Sequence, residues 1–218
     1  MDTPDAPRIE STLVSVDVLA LRFDARAVLL AVAPRANEPF QGELALPGVL
    51  LGRGERLRDA AIRTVAGKLG LASEAVTAVG QLATFDEPSR DPRGPTLSVA
   101  LWATIDPARS AGGQDGLTWV PLDAVPPLAF DHNRIVEDCR PLLQDRLWRD
   151  TAFSAGLLGA EFTTAQALDV TEALTGDRPY PANLGRTMDR VPGLSRTTEH
   201  AAALPKGGRP PLMWRWDS

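Results

Sequence analysis

Apolar and polar positions along the chain change their period several times, and each change marks an element. Residues 12–22 (TLVSVDVLALR) alternate or run apolar, as do residues 27–33 (AVLLAVA). Both read as strands, with Phe23, Asp24, Ala25 and Arg26 as a tight connection between them. From 34 to 54 the chain is broken by Pro34, Pro39, Gly42, Pro47, Gly48, Gly52 and Gly54, which leaves room only for short strands. Residues 55–69 predict the clearest helix: Leu57, Ala61, Val65 and Leu69 recur every fourth position, and Asp59 and Arg63 form an i,i+4 pair on the wetter side. Gly70 follows as a C-cap. Residues 74–84, 96–105 and 117–121 read as three further strands, with a polar loop over 87–94. Residues 131–148 predict a second helix with Asp131 as its N-cap and Pro141 as a kink or a split. Strands with two intervening helices in this order predict a mixed α/β sandwich.

The tail is patterned differently. Thr163 or Thr164 caps a helix that runs to about Leu174 and ends at Gly176. A loop (DRPYP) leads to a second helix over about 182–190, stopped by Pro192 and Gly193. The chain closes on GGRPPLMWRW, an extended, aromatic and basic segment. Helix, turn, helix and then a strand after a basic loop is the order of a winged helix-turn-helix.

Composition bounds these elements. The 218 residues are 44% hydrophobic, enough for one domain of about 150 residues with a small second one. No run approaches the ~18 apolar residues of a transmembrane helix, and the first residues lack the basic and apolar regions of a secretory leader. Cys139 is the single cysteine, so neither an internal disulfide nor a cysteine metal cluster is expected, and the reading is a small core residue in a reducing, cytoplasmic setting. The net charge of -5 argues at first against nucleic acid. Its distribution reverses that. Residues 1–160 hold 21 acids and 16 bases, whereas residues 181–218 hold six bases and three acids. Local charge sets a nucleic-acid footprint, and the last 38 residues carry +3.

The sharpest motif spans residues 46–71, LPGVLLGRGERLRDAAIRTVAGKLGL. It resembles the Nudix box at Leu46, Pro47, Gly48, Gly54, Glu55, Ala60, Ala61, Arg63, Gly70 and Leu71. Glu55 matches the box's first glutamate and Arg63 its arginine. The positions of the helical metal-binding glutamates hold Thr64, Gly67 and Lys68, and the box's first glycine is Val49. Carboxylates at i, i+3 and i+4 share one helix face and hold a divalent ion against a diphosphate. A hydroxyl, a bare backbone and an ammonium do not, so ordinary Nudix hydrolysis is not expected. Glu55 and Arg63 read instead as an ion pair tying loop to helix, and Lys68 as a cation facing either solvent or a ligand phosphate.

The resemblance continues through RDPRG (residues 90–94), Trp119, the stretch LAFDH (128–132), Asn183 at the opening of the second tail helix and GRPPLMWRW. Together these resemble the Nudix-related transcriptional regulators of the NrtR type along nearly all of residues 12–216. That resemblance implies a Nudix-like α/β/α sandwich over residues 10–150 and a C-terminal winged helix-turn-helix domain over 161–218. It also implies a cytoplasmic homodimer that binds double-stranded operator DNA, commonly as a repressor of NAD-related genes. ADP-ribose or a related nucleotide acts as effector in such proteins, with no resident cofactor, metal or membrane partner. Departures are visible at Leu44, where the family usually has tryptophan, and at Leu184 and Gly185, where its recognition helix usually has phenylalanine and arginine.

Candidate effector contacts are Arg35, Glu55, Lys68, Arg90 and Arg93; the arginines of RDPRG serve equally as an internally bonded turn. Candidate DNA contacts are Asn183, Arg186, Arg190, Arg196 and Arg209, with Thr187 as a backbone contact. Arg186 and Arg190 share a helix face. Asn183 serves either as a helix cap or as a base reader. Arg209 lies in GGRPP, a wing able to approach phosphate or the minor groove. Trp214 and Trp216 lie on one strand face and read as wing core. Asp131 and His132 read as capping and packing, since no serine or cysteine nucleophile accompanies them. Two rivals remain: a divergent Nudix phosphohydrolase acting on nucleoside diphosphate derivatives, and a protein-binding module whose tail does not touch DNA.

Overall fold

The structure, a computed structural model, describes residues 11–110, 112–197 and 212–217. The apolar pairs predicted near the start form β1 (Leu13–Asp24) and β2 (Ala27–Pro34), an antiparallel hairpin. The turn-rich stretch contributes only β3 (Leu44–Ala45) and β4 (Gly48–Leu50). Next come α1 (Leu57–Leu69), β5 (Val76–Phe85), β6 (Thr96–Ile105), β7 (Thr118–Pro121) and α2 (His132–Arg146). The strands form one mixed seven-stranded sheet with the path β3-β2-β1-β6-β5, to which β4 adds on β1 and β7 on β2. Within it β1 and β6 are parallel, with Val16 opposite Val99.

β1 shows why the sheet is covered on both faces. Val16, Val18 and Ala20 point to one side and pack with Ala60, Ala61, Val65 and Leu69 of α1. Leu19, Leu21 and Phe23 point to the other and pack with Ile135, Cys139 and Leu143 of α2. The result is the expected α/β/α sandwich. Gly70 ends α1 in the left-handed region at φ 65, and its N–H returns to the Ala66 carbonyl.

Two expectations about the second helix change. It is not split at Pro141: Pro141 and Glu137, whose carbonyl loses its partner, both lie on the solvent-exposed face, where the lost bond costs least. Nor does the Asp131 side chain cap it, because both of its carboxylate oxygens accept from Arg90. A third helix, α3 (Thr151–Leu158), was not legible in the pattern. Asp150 caps it by accepting from the Phe153 N–H, and Phe153 packs edge-on against Trp102 of the sheet at 5.1 Å.

The tail follows the predicted order: β8 (Glu161–Thr163), α4 (Thr164–Thr175), α5 (Pro181–Met188), β9 (Leu194–Thr197) and β10 (Met213–Trp216). Thr163 caps α4 in a full capping box with Gln166, and Gly176 closes it. β8, β10 and β9 form a separate antiparallel three-stranded sheet, so helix, turn, helix and wing are all present. Trp214 is 1% exposed and its indole N–H donates to the Thr164 hydroxyl, so the two terminal tryptophans are core, as expected. One apolar cluster runs without a break from Leu19 and Trp102 through Trp148, Phe153 and Phe162 to Leu184, Met188 and Trp216. The winged helix is therefore packed on the sandwich. Further bonds cross the junction: the Trp148 indole N–H to the Thr171 hydroxyl, Gln144 to the Leu174 carbonyl, and Arg26 to Asp169.

Candidate functional site

A cleft of about 420 Å³ opens where the ends of β1, β2 and β4 meet the last turns of α1. Its floor is a buried polar centre that grows from one residue, Asp17, in the middle of an apolar strand. A buried charge is costly unless it is paired and hydrogen-bonded. The Ser98 hydroxyl donates to Asp17 Oδ2 at 2.5 Å, and Arg90 Nη2 lies 3.5 Å from the same oxygen. Arg90 also forms a forked pair with Asp131, at 3.1 and 2.9 Å. The backbone of Gly48 passes so close that a Cβ there would sit 2.2 Å from Asp17 Oδ1, which requires glycine. His132 lies 3.7 Å from Asp17 Oδ1, and its Nδ1 accepts from the Leu46 N–H at 3.0 Å. Burial pulls its pKa down, more than Asp17 and Asp131 raise it, so the ring is neutral with its proton on Nε2, facing Asp17.

Above this floor stand the cations. Arg35, at the end of β2, donates to the carbonyls of Pro39 and Asn37 and lies over the Phe130 ring at 4.4 Å. Arg93 approaches the same ring at 5.7 Å and forks onto Asp91. Desolvation, followed by the nearby Arg93 charge, lowers the Arg35 pKa. The Arg93 hydrogen bonds hold the Asp91 carboxyl below its ordinary range. Lys68, in the last turn of α1, is exposed and lines the cleft, and among the described residues it has no ion-pair partner.

The predicted residues thus divide. Arg35, Lys68, Arg90 and Arg93 all line one cleft. Arg90, with a side chain 4% exposed, is a keystone of the floor rather than a free arm. Glu55 stands outside the lining: it accepts from Arg63 Nε and Nη2, both at 2.8 Å, and from the Gly52 N–H at 2.7 Å. These bonds lower its pKa to about 2. Loop and helix are joined as expected for a structural pair. Sequence reasoning passed over Asp17, Ser98 and Phe130. Asp17 had a signal, a lone carboxylate inside an apolar strand; Phe130 stood in the LAFDH stretch of the resemblance, without a role.

A divalent ion does not fit the box. Thr64 is buried and its hydroxyl turns back to the Ala60 carbonyl at 2.6 Å. Gly67 offers no donor and Lys68 offers a positive charge. Glu55 is consumed by Arg63 and Gly52. Among the described residues no group of three or more His, Cys, Asp or Glu is placed to hold a metal ion.

The second candidate surface is α5 and the wing. Asn183 does not cap this helix, which begins at Pro181, two residues before it; its side-chain oxygen accepts from Arg186 at 3.3 Å. Arg186 and Arg190 are exposed and, among the described residues, carry no carboxylate partner. Arg196 differs: it forks onto Asp189 at 2.9 and 2.6 Å and lies 5.0 Å over the Trp214 ring, so it braces the wing against the end of α5. Thr187 donates to the Asn183 carbonyl. Arg209 lies outside the described residues.

Fold and site define a class: an α/β/α sandwich with a cation-lined cleft, joined by a common core to a winged helix. The chain belongs to the NUDIX domain family, which matches residues 12–139. It is similar to the ADP-ribose pyrophosphatase of Methanocaldococcus jannaschii, 32% identical over 106 residues. That match covers 48% of this chain and 61% of the enzyme, so the chain spans less than two thirds of that relative's length. It is also similar to the ADPR responsive transcriptional repressor NtrR of Acinetobacter baylyi, 26% identical over 94% of this chain and 82% of that protein. Among solved structures, Shewanella oneidensis NrtR complexed with a 27mer DNA shares the fold, with a TM-score of 0.77, 24% identity and coverage of 94% of this chain and 93% of the other.

Proposed function

We propose that the protein is a one-component transcriptional regulator. Its Nudix-like part, residues 10–150, senses a nucleotide effector such as ADP-ribose without hydrolysing it. Its winged helix, residues 161–218, binds operator DNA. The observation that carries the reading is the state of two arginines in and just after α5. Among the described residues from 161 to 197, every other arginine is held by a carboxylate, while Arg186 on α5 and Arg190 in the turn that follows it are exposed without one; the helix ends at Met188, short of the expected shared face. An exposed recognition helix whose arginines carry no carboxylate suits DNA phosphates and base edges in the major groove. The Acinetobacter relative, named as an ADPR responsive repressor, supports both halves of the reading over most of the chain. Arg35, Lys68 and Arg93 are the effector contacts, with Arg90 and Glu55 as their supports. Asn183, Arg186, Arg190 and Arg209 are the DNA contacts, with Arg196 as a brace. The active form is a cytoplasmic homodimer, whose two helices would read half-sites about one DNA turn, or a multiple, apart. Repression of NAD-related genes is the output this reading favours.

The test is a gel shift with DNA flanking the protein's own gene. The unmutated protein shifts it and the R186A/R190A variant does so only at much higher protein concentration. The slope of log affinity against log salt falls by about two in the variant, one for each phosphate deprived of its arginine. Absence of a shift at low salt with the unmutated protein overturns the regulator. Turnover of ADP-ribose with magnesium would instead support the enzyme.

A further inference from the structure

The cleft walls hold five cationic side chains, Arg35, Arg63, Lys68, Arg90 and Arg93, and two carboxylates, Asp17 and Asp91. Pairing compensates three of the five cations. Glu55 holds Arg63, Asp17 and Asp131 hold Arg90, and Asp91 holds Arg93. Arg35 and Lys68 remain without a carboxylate partner among the described residues, because Arg35 donates only to carbonyls. They enter from different elements, Arg35 from the end of β2 and Lys68 from the last turn of α1. Two cations without a carboxylate of their own thus face one cavity.

A diphosphate diester carries one negative charge on each phosphate at neutral pH. A divalent cation is one way to match that pair, and it requires hard oxygen donors in a near-octahedral arrangement. This cleft lacks them at Thr64, Gly67 and Lys68, and it would set an ammonium beside the ion. Two side-chain cations match the same charge without a metal. Arg35 supplies a planar fork, already oriented by two carbonyls and the Phe130 ring. Lys68 supplies three donors on a flexible stem that can follow the second phosphate.

We infer that the cleft binds a diphosphate ligand with Lys68 and Arg35 in place of a divalent metal, so that binding is metal-independent. The inference rests on reading the cleft as a nucleotide site. Two consequences follow for the site itself. Chelators leave the affinity unchanged, and the lysine at the old glutamate position becomes an affinity determinant.

The experiment is calorimetric titration of the full chain with ADP-ribose, once in EDTA and once in magnesium. The dissociation constants agree within about twofold, and K68A weakens both by about tenfold, the size of one charge-assisted phosphate contact. K68R retains most of the affinity, since it keeps the charge. Lys68 is exposed, so K68A keeps the far-UV circular dichroism of the unmutated chain, which shows that the loss is not unfolding. Binding that needs magnesium overturns the metal-independent site while leaving the nucleotide reading intact. A K68A affinity equal to that of the unmutated protein in both buffers overturns the replacement of the metal by Lys68, again leaving the nucleotide reading intact. No binding in either buffer overturns both.

Discussion

At the residue scale, what distinguishes this Nudix box is how its surviving polar groups are used. Glu55 is the one glutamate of the box that remains, and it serves as a clasp. The pH dependence of that clasp has a definite sign. The Glu55 pKa falls from an ordinary 4.5 to about 2, chiefly through the Arg63 hydrogen bonds. A depressed carboxyl contributes stability that is present above its unfolded pKa and is lost as pH falls through the folded one. The gap in melting temperature between the unmutated protein and E55Q is therefore constant above about pH 5 and narrows toward pH 2. A gap unchanged across that range would mean that the ion pair contributes nothing. Cys139 shows the opposite displacement: burial pushes its thiol up to about 12, so it is a packing residue rather than a nucleophile.

At the element scale, periodicity made most of the fold legible. The strands that become β1, β2, β5, β6 and β7 and the helices that become α1, α2 and α4 fall within a few residues of their expected places, because each buries a face with its own repeat. α3 was not legible: TAFSAGLL is short and apolar on nearly every side, so it carries no period. The two short strands β3 and β4 are imposed by pairing with β2 and β1 rather than by their own residues. The site shows the same division. Its cations could be found by type and motif, but their pairing could not, since Asp17, Arg90 and Asp131 meet from 73 and 41 positions apart. Arg90 is the residue that fastens the β5–β6 loop to β1 and to the start of α2. Replacing it with methionine strands two carboxylates around a nearly closed site, and the loss is about 3–5 kcal/mol by urea unfolding. A loss below about 1 kcal/mol would show that this centre is solvated and not structural.

At the scale of the whole molecule, the sandwich and the winged helix share one hydrophobic cluster, with Trp148 and Phe162 at the seam, their rings 5.9 Å apart. Elements sharing a core unfold together. Heating therefore gives one transition, with tryptophan fluorescence and far-UV circular dichroism coincident, and T171V, which removes the Trp148 hydrogen bond, lowers the stability of the whole by about 1 kcal/mol. Two separated transitions would mean that the halves are independent bodies. The acidic total charge also takes a different meaning at this scale. The first 160 residues account for the whole of the -5 and the last 38 carry +3, so the total does not describe the charge of either part.

The β2 strand touches both ends of this arrangement. Arg26, immediately before it, reaches Asp169 of α4, and Arg35, immediately after it, enters the cleft. Nine residues of extended chain at ~3.3 Å each place these ends roughly 30 Å apart. Ions in physiological solution damp a charge over about 8 Å, so charge at one end is not felt at the other through the solvent. Any coupling between the cleft and the winged helix would therefore have to pass as movement through the packed chain.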